Sequence, residues 1–122
     1  MLKFLTSLFK PEAVKPAPAT SDTSMLFAVE EIAPFLTRLA NNPRFGLPGG
    51  LAAEAAAALP ELAEQQKRRW RIDGAFDRAP AEFVVEVMME RGGEADVTFF
   101  APQTAVEEIN RELAAFDAAT ER

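Results

Sequence analysis

Two groups of charged residues in this sequence have the types and spacing that could do chemistry. The first is the run KRRWR at 67–71, whose guanidinium groups could hold phosphates while the indole stacks on a base. The second is a set of carboxylates spaced four positions apart, Glu82, Glu86 and Glu90. In a strand these carboxylates share one side at wide spacing and match no metal-loop pattern, so they predict neither a metal site nor a catalytic pair.

The pleat of a strand divides the first group between two faces. Because side chains alternate, Trp70 lies opposite Arg69 and Arg71. We therefore predict that Trp70 is a core residue and that the two arginines pair across the sheet with Glu82 or Glu86. Nucleic-acid binding is not expected, and the net charge of −6 agrees with that expectation.

The composition makes an enzyme less expected. The chain has no His and no Cys, the residues that most often carry protons or act as nucleophiles near neutral pH. No cofactor is predicted either, because no phosphate-binding glycine motif is present. The absence of Cys fits a reducing compartment, so we predict a cytoplasmic protein. No run approaches the ~18 apolar residues that a membrane-spanning helix needs.

The elements that position these charges start with a sheet between Lys67 and Ala101. Trp70 and Ile72 alternate with charged residues in its first strand. The later inward-facing set is apolar and comprises Phe83, Val85, Val87, Met89, Ala95, Val97 and Phe99. The RGGE link at 91–94 suits a hairpin, because glycine accepts a positive φ. The pattern predicts a three-stranded antiparallel meander.

Helices are predicted before and after this meander in the chain. Met25 to Asn42 reads as helical, with a kink at Pro34 or a new helix that begins near it. Leu51 to Arg69 reads as helical and is split by Pro60. Pro102 to Thr120 is an amphipathic helix. Its apolar stripe is Val106, Ile109, Leu113 and Phe116. The expected fold is α+β, with N-terminal helices, the meander, and the C-terminal helix packed on one face of the sheet.

The chain divides into three predicted parts. Residues 1–10 form a short cationic amphipathic helix, 11–24 a Pro/Ala/Ser-rich linker, and 25–122 a single α+β domain. The apolar residues of the first part are predicted to bind a partner: Leu2, Phe4, Leu5, Leu8 and Phe9. This segment could dock on another protein or make peripheral contact with an anionic membrane. The alternatives are that it folds back onto the domain or that it is a disordered start that happens to be apolar.

The outward side of the sheet is the second predicted partner-binding surface. Val84, Met88 and Phe100 lie there among charged residues, a mixture that is typical of protein interfaces and that could form a homodimer through the sheet. The alternative is that the N-terminal helices cover these residues and make them a second core layer.

Three functions follow from these features. The first is a non-enzymatic protein-interaction or adaptor domain that docks to a larger assembly through its N-terminal segment and an exposed sheet face. The second is an acidic inhibitor or decoy, in which Glu82 to Glu121 occupies the basic site of a nucleic-acid-binding protein. The third is an enzyme that works without His or Cys.

Overall fold

The computed structural model describes the backbone of residues 16–120 and the side chains of residues 16–119. In chain order the elements are β1 (Ser21–Ala28), α1 (Ile32–Asn41), β2 (Phe45–Gly46), α2 (Leu51–Ala58), β3 (Lys67–Phe76), β4 (Ala79–Met89), β5 (Glu94–Ala101) and α3 (Gln103–Thr120). Short 3-10 turns at Val29–Glu31 and Leu59–Glu61 precede α1 and follow α2. The predicted α+β class is confirmed.

The strands form one antiparallel sheet in the order β1-β5-β4-β3-β2. The predicted meander is present as β3, β4 and β5, but the prediction of three strands is wrong, because the sheet has five. The two-residue strand β2 pairs with the end of β3, and β1 pairs along the whole of β5. Within this sheet, only β1 and β5 are neighbours that are not consecutive strands of the chain.

The strand β1 replaces the beginning of a predicted helix. The expected helix from Met25 to Asn42 is wrong in its first part, because β1 extends to Ala28 and begins at Ser21, within the predicted linker. Thr23, Met25 and Phe27 alternate toward the core, and pairing with β5 supplies the backbone hydrogen bonds. Helix α1 begins only at Ile32, which puts Pro34 in the first turn, where a backbone N–H has no helical partner.

The predicted helix from Leu51 to Arg69 is also shorter than expected. Helix α2 ends at Ala58, and only the 3-10 turn at Leu59–Glu61 lies between it and β3. Instead, Gln65 has a φ of 69° and donates its N–H to the Met89 carbonyl, while the Met89 N–H donates to the Gln66 carbonyl. Two residues thus lie opposite one, which is a β-bulge at the start of β3.

All three helices of residues 16–120 pack on the same face of the sheet. At the centre of this core, the centroid of the Phe35 ring lies 5.3 to 5.5 Å from the ring centroids of Phe27, Phe99 and Phe116. Most of the predicted stripe of α3 is buried, so the C-terminal helix on one sheet face is confirmed. None of these helices is long and apolar enough to cross a membrane.

Candidate functional site

The outer face of the sheet, defined as the face opposite the three helices, carries three of the predicted partner-binding residues. Val84 and Phe100 are cross-strand neighbours, and Met88 lies on the same side of β4. The buried residues of the helices form one core cluster with the inward-facing sheet residues, and this cluster contains none of these three side chains. Helices α1 and α2 therefore do not cover this face, which contradicts the predicted alternative for these two helices.

Val84 is only 6% exposed although no helix of residues 16–120 lies over it. Its two cross-strand neighbours, Arg71 and Phe100, carry long side chains that flank it on both sides. The Arg69 guanidinium in turn lies over the Phe100 ring, 5.6 Å from its centroid. The apolar centre of the outer face is thus shielded by the stems of arginines, which can move aside at low cost.

Leu26 is a part of this face that sequence reasoning missed. It lies on β1, and its side chain is 55% exposed, the one large apolar side chain in the described part of the chain with that degree of exposure. The sequence does carry a strand signal here, because Met25 and Phe27 lie on either side of Leu26 and would point to the opposite face of a strand. Assigning that stretch to a helix concealed it.

The charged residues of the outer face pair as predicted. Arg69 bonds Glu86 at 3.4 Å and Arg71 bonds Glu82 at 2.5 Å. The hydrogen bond from Arg71, helped by one from the Ala19 backbone N–H, lowers the pKa of Glu82 below its ordinary value. These exposed pairs add little stability, but they hold the arginine stems across the face.

Trp70 is a core residue, as predicted, at 8% exposure. Arg68 shares its side of β3 and lies with its guanidinium 5.5 Å from the indole ring. The other arginines, Arg69 and Arg71, bond the outer-face carboxylates of β4. The arginines of this run are therefore divided between the two faces of the sheet, and they do not form the single cluster that a grip on phosphates would require.

A polar cleft of about 780 Å³ lies between the end of α1 and helix α3, and sequence reasoning did not identify it. Asn42 uses both amide hydrogens there, donating to Glu108 at 2.9 Å and to Glu112 at 2.6 Å. Both Asn42 and Glu108 are 8% exposed. Arg38 closes the other side by pairing with Glu112.

Arg44 extends this network to the turn between β3 and β4. It donates two hydrogen bonds of 2.8 Å to Asp77 and one of 2.9 Å to Glu108, and its guanidinium lies 4.6 Å from the centroid of the Phe76 ring. The hydrogen bond from Arg44 lowers the pKa of Asp77, and the same pair raises the pKa of Arg44.

These bonds make the cleft a structural clamp. Each arginine already holds a carboxylate, and the Asn42 oxygen accepts the Arg44 backbone N–H at 2.9 Å. The clamp joins α1, the β3–β4 turn and α3. The sequence analysis predicted no site at Asn42, the end of a predicted helix, or at Glu108, because their contact depends on how α1 and α3 pack.

No family model, curated protein or solved structure matches this chain. The candidate sites are therefore defined by geometry alone. Within residues 16–120 no group of three or more acids could hold a metal ion. The remaining predicted partner-binding residues, all in the N-terminal segment, lie outside the described residues: Leu2, Phe4, Leu5, Leu8 and Phe9.

Proposed function

We propose that this protein is a non-enzymatic interaction or adaptor domain that binds another protein through the outer face of its sheet. The observation that carries the proposal is an apolar row, Val84 and Phe100, on a face that no helix of residues 16–120 covers. Met88 and the exposed Leu26 extend the apolar surface along the same side. An apolar centre with a rim of charged residues is the usual composition of a protein interface.

The size of the face favours a transient complex. The four strands β1, β5, β4 and β3 span roughly 19 Å at ~4.8 Å each, and eight paired residues of β1 span roughly 26 Å at ~3.3 Å each. The product is roughly 500 Å², below the ~800 Å² that each partner contributes to a standard stable interface. A longer-lived complex would need additional surface.

The N-terminal segment is our candidate for that additional surface. Ala17 donates its N–H to the Pro80 carbonyl at 3.0 Å and accepts the Glu82 N–H at 2.9 Å. The chain therefore enters the described fold beside β4, close to the outer face. We propose that residues 1–10 contact the same partner, with peripheral membrane contact as the alternative for this segment.

The acidic decoy receives less support than the interaction domain. A decoy needs carboxylates that are free to meet a basic partner. Four of those in the segment after Ala81 already pair with arginines of this chain: Glu82, Glu86, Glu108 and Glu112.

Photo-crosslinking of the full-length protein tests the outer face directly. A photoreactive side chain placed at Phe100 should crosslink one partner, and Met88→Glu should abolish that crosslink while the far-UV circular dichroism spectrum and melting temperature stay unchanged. Glu107, exposed on α3, is the matched control position. A crosslinked second copy would identify the partner as a homodimer. Equal crosslinking from both positions would overturn the proposal.

A further inference from the structure

Within residues 16–120, one long edge of the sheet has no neighbouring strand, along the first seven residues of β3. Strand β2 pairs only with Ala75 and Phe76 of β3. Among residues 16–120 no backbone hydrogen bond outside the β3–β4 ladder reaches residues 67–73. An unpaired edge of this length is a template on which another extended chain can pair.

The register identifies the backbone groups that point out of this edge. In an antiparallel ladder, alternate residues direct their N–H and C=O groups to the same neighbour. Gln66 bonds Met89 of β4, whereas Asp77 donates its N–H to Arg44 on the opposite side. Even-numbered residues of β3 therefore bond β4. The odd-numbered residues point to the open edge: Lys67, Arg69, Arg71 and Asp73.

Charge selects the kind of chain that can pair there. Lys67, Arg69 and Arg71 form a cationic row along the outer side of the edge. Arg69 and Arg71 also pair with Glu86 and Glu82 of β4, but their side chains are 61% and 67% exposed and can reach a strand on the other side of β3. A second copy of β3 would bring like charges to this junction. A strand with acidic residues on its outer side would instead complement this row. The only acid in the open stretch is Asp73, at its far end.

A cleft on the inner side of the same edge would receive the alternate side chains. It has a volume of about 400 Å³ and is lined by Pro48, Gly50, Leu51 and Glu54 against residues 70–73 of β3. Trp70 lines it, and the Trp70 Nε1–H is buried without a hydrogen-bond partner in the described part of the chain. An unpaired buried donor is costly, so a movement of the indole on peptide binding that gives this N–H an oxygen partner would be favourable.

We infer that the open edge of β3 binds an extended acidic peptide of a partner protein as an additional strand. In this peptide, acidic side chains alternate with apolar ones. The acidic side chains face the cationic row, and the apolar side chains enter the cleft beside Trp70. This edge adjoins the outer face, since Arg69 and Arg71 border both surfaces. The inference rests on the proposed interaction function and names the chemistry of the partner segment.

Fluorescence offers a direct test, because Trp70 is the only Trp and the chain has no Tyr. Titrating the full-length protein with a capped peptide of alternating glutamate and valine should shift the Trp emission and saturate, and raising the salt concentration should weaken binding. A capped peptide of alternating lysine and valine should give no response. Equal responses to both peptides would overturn the charge complementarity.

Methylated peptides test for strand pairing itself. N-methylation of the peptide amides that face β3 should weaken binding about fivefold for each amide lost, whereas methylation of the alternate amides should have little effect. Equal loss from both sets would exclude an added strand.

Two variants at one position provide the matched test on the protein. Arg71→Pro removes both the positive charge and the N–H that points to the open edge, while the hydrogen bonds from the even-numbered residues of β3 to β4 remain. Arg71→Gln removes only the charge. Proline should abolish the response, and glutamine should weaken it about two- to fivefold. Equal binding by both variants would overturn the proposal. If the proline variant unfolds, the methylated peptides still show whether the peptide pairs with β3 as a strand.

A distant control separates this inference from the proposed function. Leu26→Glu alters the outer face on β1, at the opposite side of the sheet from β3. It should leave the Trp70 response unchanged while it weakens binding at the outer face. Self-association that the peptide does not reverse would assign the edge to a second copy and overturn the inference.

Discussion

Asn42 is the residue whose role depends most on its surroundings. Its amide group donates to two carboxylates on α3 and accepts a backbone N–H from Arg44. Every hydrogen-bonding group of this side chain therefore has a partner, which is what a buried polar residue requires.

Replacing Asn42 should test the clamp. Asn42→Ala leaves Glu108 short of a donor in a buried position, and we expect unfolding free energy to fall by about 2 kcal/mol, since hydrogen bonds to charged groups are the stronger ones. Chemical denaturation measures this. Asn41→Ala, at the neighbouring exposed position, should change stability by less than about 0.5 kcal/mol. Similar losses in both variants would argue against the clamp.

The Arg44–Asp77 pair predicts a pH dependence. Because Arg44 lowers the pKa of Asp77 in the folded state, the unfolded chain binds more protons. The stabilisation is present above the unfolded pKa of about 3.9 and is lost as the pH falls through the lower folded value. Asp77→Asn should therefore reduce the loss of stability on acidification below about pH 4, as measured by denaturation at several pH values. Arg44→Gln should have the same effect; a change in only one variant would contradict the pairing.

At the scale of elements, turns and close contacts decide where each strand ends. The turn between β3 and β4 holds Asp77 and Arg78 at φ values of 51° and 70°, the left-handed conformation of a tight hairpin. Gly74 lets β2 approach β3, because a Cβ there would lie 2.6 Å from the Gly46 carbonyl oxygen. The pairing of β2 with β3 thus depends on the missing side chain.

Adding a methyl group at this contact should displace β2. We expect Gly74→Ala to lower unfolding free energy by about 1–3 kcal/mol, because the atom it meets belongs to the backbone and not to a flexible side chain. Gly49→Ala is the control, since a Cβ at Gly49 meets nothing within 4 Å. Thermal denaturation compares the two. Equal melting temperatures would show that β2 can shift at no cost.

At the scale of the whole molecule, the strand β1 changes where the folded body begins. Ser21 to Ser24 pair with the last four residues of β5, and Ala17 bonds β4. A truncation that tests the N-terminal segment must therefore stop before these contacts.

Two truncations should separate the segment from the fold. Deleting residues 1–15 should leave the melting temperature unchanged, because it removes none of these bonds. Deleting residues 1–24 removes half of β1, and should lower unfolding free energy by several kcal/mol at about 1 kcal/mol per hydrogen bond. Differential scanning calorimetry distinguishes them. An equal melting temperature after the longer deletion would mean that β1 is dispensable.

The sequence by itself determined the elements whose patterns are local. Alternation identified β3, β4 and β5, the spacing of Val106, Ile109 and Leu113 identified α3, and the pleat assigned Trp70 to the core. These patterns repeat over one element, so neighbouring residues suffice to read them.

Only the tertiary structure decided the features that join distant parts of the chain. β1 reads ambiguously as helix or strand until β5 supplies its hydrogen bonds. The outer face is free of helices of residues 16–120 because all three of these helices pack on the other side of the sheet. The clamp at Asn42 and the open edge of β3 likewise depend on which elements become neighbours. Such contacts are set by packing between segments far apart in sequence, which no local pattern records.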